Sequence, residues 1–188
     1  MQTLFISTAA VAIAEIGDKT QLLSLILAAK YRRPMPICLG ILVATLLNHA
    51  LAGWFGATVA AWLQPSVLTW IVALSFFAIA LWTLVPDKVD ADDVRDMRGH
   101  GVLIATVIAF FLAEMGDKTQ VATVVLAARY SPLWQVVAGT TIGMLLANVP
   151  VVLLGSRFAA RLPLRAARVV AALVFLALGL WAALHGTG

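Results

Sequence analysis

Two copies of one charged heptapeptide, each inside an apolar run, constrain this chain more than any other feature. Residues 15–21 read Glu-Ile-Gly-Asp-Lys-Thr-Gln, and residues 114–120 read Glu-Met-Gly-Asp-Lys-Thr-Gln. The same spacing of 99 residues relates Gly40 to Gly139, so the register extends beyond the motif. The chain is therefore an internal duplication. Its only two glutamates are the first residues of the two copies, where a charge is least expected.

Composition places the motifs in a membrane protein. The chain is 62% hydrophobic and 12% charged, whereas a soluble domain has about 25% charged residues. Apolar runs of roughly 18 residues or more predict spanning helices. Six such runs occur, at 4–29, 36–63, 67–85, 102–128, 133–154 and 166–184. The predicted fold is all-α, with six transmembrane helices, and the single Cys38 permits neither an internal disulfide nor a CxxC site.

The distribution of basic residues predicts the orientation of these helices. Ten Lys and Arg residues fall in connections 1–2, 3–4 and 5–6 or, for Arg168, just after the last of them, and only Arg129 falls in the alternate connections. The odd-numbered connections are therefore expected in the cytoplasm and both termini outside. Residues 1–85 form the first three-helix repeat and 101–188 the second. Because each repeat crosses three times, the second copy is inverted, and a site is expected near the midplane.

The segment 86–100 joins the repeats and contains five aspartates. It lacks the alternating ligands, turn glycine and terminal glutamate of an EF-hand loop. We interpret it as a charged, solvated cytoplasmic linker. No segment has the character of a nucleic-acid-binding surface.

Charges within an apolar helix are costly enough to indicate function. In a continuous helix, Asp18 and Lys19 would lie within about 60° of Glu15 on one face, with Gly17 opposite, where the helix can bend or be closely approached. The glutamate and lysine of each copy are spaced for an i, i+4 ion pair, which would leave the aspartates without partners. Four carboxylates and two ammonium groups have a net charge of about −2, which one divalent cation or two protons would neutralise.

The four acids of the motifs are the candidate metal ligands, because hard divalent cations prefer oxygen. They are Glu15, Asp18, Glu114 and Asp117. Candidates for supporting roles are the other polar motif residues and three polar residues of helices 2 and 5: Lys19, Thr20, Gln21, Lys118, Thr119, Gln120, Asn48, His49 and Asn148. His49 is open to three roles: a nitrogen ligand, a titrating group, or a hydrogen bond across helices. Like charges clustered in a low dielectric favour protonation, so protons are expected to compete with the metal.

The doubled Glu-x-Gly-Asp-Lys-Thr resembles the signature of a small family of cation transporters. That family includes the eukaryotic Golgi manganese/calcium transporter and bacterial MneA-type manganese exporters. The resemblance covers nearly the whole chain and implies an inverted repeat that moves Mn²⁺ or Ca²⁺ against protons, with the motif acids at the site. The short chain resembles the bacterial members, which implies a multi-pass protein of the bacterial inner membrane.

The expected function is therefore Mn²⁺ efflux coupled to H⁺ entry, with no resident cofactor. A Ca²⁺/H⁺ antiporter is the first alternative, and the sequence leaves a homo-oligomer open. A passive cation channel or an amino-acid exporter of similar size are further alternatives. An intramembrane phosphatase would need phosphate-binding groups, and the only arginine within the apolar runs is Arg168, near the start of the last one.

Overall fold

A computed structural model describes residues 1–86, 101–155 and 163–186, and every regular element in these ranges is an α-helix. The helices are α1 Gln2–Ala14, α2 Lys19–Tyr31, α3 Pro34–Trp62, α4 Pro65–Thr83, α5 Val102–Glu114, α6 Lys118–Arg129, α7 Leu133–Leu154 and α8 Leu164–His185. Among the described helices, α3, α4, α7 and α8 are long and apolar enough to cross a membrane. The predicted all-α membrane class is confirmed, and the predicted linker lies outside the described residues except for Pro86.

The first and fourth predicted spans are not continuous helices, which corrects the prediction. Each is divided at its motif into two short helices, α1 and α2 in the first repeat and α5 and α6 in the second. The break occurs where Gly17 and Gly116 have φ of +82° and +74°, a conformation that other residues adopt only at a cost. Asp18 and Asp117 follow in extended conformation and begin the next helix. Hydropathy does not detect such a break, because the run remains apolar on both sides.

The duplication seen in the sequence extends to the packing of the helices. A shift of 99 residues places α1 to α4 on α5 to α8 in the same order. Helix α1 packs on α7 and α5 packs on α3, so each broken helix contacts the long helix of the other repeat. Helices α3 and α7 also contact each other, as do α4 and α8. The motifs therefore lie where the two repeats meet.

Glycines make these contacts close. A Cβ added at Gly143 of α7 would lie 2.7 Å from the carbonyl oxygen of Thr8 in α1. A Cβ added at Gly139 would lie 2.6 Å from the carbonyl oxygen of Leu4 in the same helix. In the other repeat, a Cβ at Gly40 of α3 would lie 2.6 Å from the Cβ of Thr106 in α5. Small residues spaced four apart let helix backbones approach within a membrane, which is the role these glycines have here.

The outer surface of the bundle is apolar. All six tryptophans are exposed, namely Trp54, Trp62, Trp70, Trp82, Trp134 and Trp181. Exposed leucines accompany them along the long helices, such as Leu51, Leu74 and Leu173. A continuous apolar exterior of this kind is typical of lipid-facing protein.

Candidate ion-transport site

Where each helix is broken, the backbone amide of the motif glycine has no helical hydrogen-bond acceptor, and the glutamine at the end of the motif accepts its hydrogen bond instead. The amide of Gly17 donates to Oε1 of Gln21 at 2.9 Å, and the amide of Gly116 donates to Oε1 of Gln120 at 2.7 Å. The same bond thus occurs in both repeats. Each glutamine spans its own junction and stabilises it, which explains why the motif ends in glutamine.

Both glutamates are buried at these junctions, with exposed fractions of 0% for Glu15 and 2% for Glu114. The hydroxyl of Thr20 donates to Glu15 Oε2, and that of Thr119 donates to Glu114 Oε1. In each glutamate, the second carboxylate oxygen has no hydrogen-bond partner among the described residues. Each glutamate therefore retains one buried oxygen able to accept a proton or bind a cation.

The aspartates and lysines form ion pairs between the repeats. Lys118 Nζ contacts Asp18 Oδ1, and Lys19 Nζ lies 3.5 Å from Asp117 Oδ2. The predicted i, i+4 pairs between glutamate and lysine are therefore wrong. The break removes the helical spacing on which that prediction depended, so each lysine meets the aspartate of the other copy instead.

The two cross-repeat pairs differ in their exposure to solvent. The side chains of Lys118 and Asp18 are 2% and 0% exposed, whereas that of Lys19 is 22% exposed. Asp117 also accepts a hydrogen bond from the backbone amide of Lys118 at 2.7 Å. The site is therefore asymmetric although the motifs are nearly identical.

Helix α7 supplies an amide to the first glutamate. Asn148 Nδ2 donates to Glu15 Oε2 at 3.4 Å, while its Oδ1 accepts a bond of 2.7 Å from the hydroxyl of Ser24. Gln21 Nε2 donates to the carbonyl of Ala147 at 3.0 Å. Sequence reasoning missed Ser24, although it lies one helical turn after Thr20 and this spacing could have identified it.

Helix α3 occupies the equivalent place beside the second glutamate. Asn48 donates to the carbonyl of Phe111 at 3.0 Å and accepts from Gln120 Nε2 at 2.7 Å. His49 Nε2 lies 3.6 Å from Glu114 Oε1. All of the residues named as supporting candidates thus lie in or beside the two junctions.

The four acids and two lysines have a formal net charge of −2 when all are ionised. In the described part of the chain, no three His, Cys, Asp or Glu side chains are grouped closely enough to hold a metal ion. The four-carboxylate ligand set therefore stays a prediction.

Buried acids at the junctions of broken helices, where two repeats meet in an apolar bundle, define a membrane transporter of ions. The chain belongs to the GDT1 family: residues 3–91 and 102–188 match the family model described as "Divalent cation/proton antiporter GDT1". The resemblance found in the doubled motif is confirmed, and the chain is a transporter of divalent cations rather than an enzyme.

Three relatives extend over most of the chain. A Vibrio cholerae protein named "Putative manganese exporter" is 53% identical over 181 residues, which cover 96% of this chain and 90% of that protein. "GDT1-like protein sll0615" of Synechocystis is 26% identical, with 88% of each chain covered. "GDT1-like protein 5" of Arabidopsis thaliana is 26% identical, with 89% of each covered. No solved structure matches the chain significantly.

Proposed function

We propose that this antiporter exports Mn²⁺ from the bacterial cytoplasm in exchange for protons. The observation that carries the proposal is the buried set of four carboxylates, in which lysines of the opposite repeat neutralise the aspartates and leave the glutamates as surplus charge. The choice of Mn²⁺ is supported by the name of the Vibrio cholerae relative.

The surplus charge gives a reason for exchange. Two protons or one divalent cation would neutralise Glu15 and Glu114, whose free oxygens have no other partner among the described residues. The two kinds of cation are therefore alternatives, and each weakens binding of the other. With a more acidic exterior, protons displace the metal from an outward-facing site and their return drives the metal out of the cell.

The ligand set proposed for the metal is the four motif acids. In the structure described above, the lysines contact the aspartates, so metal binding by all four acids requires the lysines to move. The hydroxyls of Thr20 and Thr119 already bind the glutamates and would hold them in place. No resident cofactor is needed for this exchange, because the metal is the transported substrate.

We further propose six crossings in two inverted repeats, with each broken helix counted as one crossing. The reciprocal contacts of α1 with α7 and α5 with α3 support this arrangement, because they are the same contact made by equivalent helices. The excess of basic residues in the odd-numbered connections favours external termini in the inner membrane. Trp62 at the end of α3 and Trp134 at the start of α7 would then anchor the outer interface.

Proteoliposomes with an imposed pH gradient test the proposal. Wild-type protein should move Mn²⁺ when the gradient is present, and apparent metal affinity should weaken as pH falls. Glu15→Gln or Glu114→Gln should each remove most transport, because one neutral side chain leaves the set unable to hold a divalent ion. Asp90→Asn, which removes a carboxylate from the connecting segment, is the matched control and should transport normally.

Two results would contradict exchange at the buried acids. Normal Mn²⁺ flux in both glutamine variants would show that the buried acids are not the site. Metal affinity that does not change with pH would show that protons do not compete there. Transport of Ca²⁺ in preference to Mn²⁺ would agree with proton exchange at this site but would show that the transported ion is Ca²⁺.

A further inference from the structure

At one pair of equivalent positions, the two halves of the site place different groups beside their glutamates. His49 of α3 corresponds to Asn148 of α7 at the spacing of 99 residues. Asn148 lies beside Glu15, with its Nδ2 3.4 Å from Oε2, and His49 lies beside Glu114, with its Nε2 3.6 Å from Oε1. The duplication therefore presents an amide to one glutamate and an imidazole to the other.

His49 is buried without the hydrogen bonds that normally stabilise a buried ring. Its exposed fraction is 0%, and within the described ranges neither Nδ1 nor Nε2 has a hydrogen-bond partner. Buried polar groups nearly always have a partner. A histidine kept for a hydrogen bond across helices would have one here, so the structure disfavours that role.

The distance between the imidazole and the glutamate suits two ligands of a single ion. Histidine nitrogen and carboxylate oxygen bind zinc, for example, at roughly 2.0–2.2 Å. Two ligand atoms 3.6 Å apart would then subtend an angle of roughly 110–130° at the ion. Glu114 Oε2 also has no hydrogen-bond partner in the described chain, so the carboxylate can turn toward the ion.

We propose that His49 is a metal ligand that makes the site prefer a transition-metal ion such as Mn²⁺ over Ca²⁺ and Mg²⁺. The inference rests on the proposed function, because it names the feature of the same site that selects the ion. Ca²⁺ and Mg²⁺ take oxygen ligands almost entirely, whereas first-row transition metals also accept imidazole nitrogen, Mn²⁺ more weakly than Zn²⁺ or Cu²⁺. A site made only of carboxylates and amides would lack this discrimination.

The test measures selectivity rather than activity alone. Initial rates of Mn²⁺ and Ca²⁺ uptake are measured in competition, in proteoliposomes with a fixed pH gradient. His49→Asn gives both halves an asparagine and should lower the Mn²⁺ to Ca²⁺ rate ratio at least about tenfold, since losing even an indirect partner of a ligand weakens metal binding 10- to 100-fold. The exchange variant His49→Asn/Asn148→His should recover part of the ratio.

His185→Asn is the matched control, because it makes the same substitution at an exposed position of α8, and it should leave the ratio unchanged. Pulsed electron paramagnetic resonance of Mn²⁺ bound to wild-type protein provides a test that needs no variant. Coupling to a directly bound ¹⁴N nucleus is expected.

The outcomes separate this inference from the function on which it rests. If wild-type protein exchanges Mn²⁺ for protons, but His49→Asn lowers the ratio less than about tenfold or bound Mn²⁺ shows no nitrogen coupling, only the inference is overturned. If wild-type protein moves no Mn²⁺, the proposed function fails and the inference fails with it.

Discussion

Replacement of Lys118 by methionine tests the ion pair that joins the two repeats. Lys118 contacts Asp18, and the two side chains are 2% and 0% exposed. Methionine has a similar length and no charge, so Lys118→Met removes the cation without leaving a large cavity. The remaining Asp18 carboxylate is then buried without its cation.

The expected loss of stability follows from this burial. Breaking a buried ion pair by removing one partner costs roughly 3–5 kcal/mol, because an uncompensated charge remains. The equivalent change, Lys19→Met, should lower the free energy of unfolding by only on the order of 1 kcal/mol. Lys19 is 22% exposed and its Nζ lies 3.5 Å from Asp117 Oδ2, so solvent screens this pair more. Two nearly identical motifs should therefore respond unequally to the same substitution.

The free energy of unfolding in mixed micelles measures both effects, and double-mutant cycles assign the partner. The cycle of Lys118→Met with Asp18→Asn should give a coupling of roughly 2 kcal/mol or more, because the neutral asparagine no longer needs the cation. The cycle of Lys118→Met with Glu114→Gln should give a smaller coupling. The reverse ranking would mean that the lysine pairs within its own motif, and the reasoning from the cross-repeat contact would be refuted.

Two other predictions concern packing and orientation. Gly56→Ala should destabilise the protein by roughly 1–3 kcal/mol, because the added Cβ would lie 2.1 Å from a carbonyl oxygen of α6. In the control Gly101→Ala, the added Cβ meets nothing within 4 Å, so the free energy of unfolding should stay nearly unchanged. Equal stability of the two variants would contradict the close contact. Cysteines replacing Ser66 and Arg95, in a Cys38→Ser background, should react with an impermeant reagent from opposite sides of the membrane, and labelling from one side would contradict the inverted topology.

Much of this architecture follows from local properties of the sequence. Hydropathy over about 20 residues detects α3, α4, α7 and α8, because each is a single unbroken apolar helix. The spacing of 99 residues predicts that the motifs are equivalent, and the threonine and glutamine of each motif do lie at its junction. These features depend on composition and on position along the chain, both of which the sequence states directly.

The breaks and the ion pairs could not be derived in the same way. The apolar run continues on both sides of the motif, so hydropathy does not reveal the break, and only the folded backbone shows the positive φ of Gly17. Once the helix is broken, the angle between Glu15 and Lys19 is no longer set by helical periodicity. The partner of each lysine then depends on how the repeats pack, which no local pattern encodes.

Pairing between the repeats has a consequence that pairing within one helix would lack. Lys118 begins α6 and contacts Asp18 at the start of α2, so any movement of one repeat against the other alters this contact. An ion pair within a single helix would be unaffected by such a movement. A divalent cation that binds the aspartates must displace the lysines, and by linkage their displacement is coupled to the relative position of the repeats. Under the ligand set proposed above, the cross-repeat pairs would connect occupancy of the site to movement of one repeat against the other.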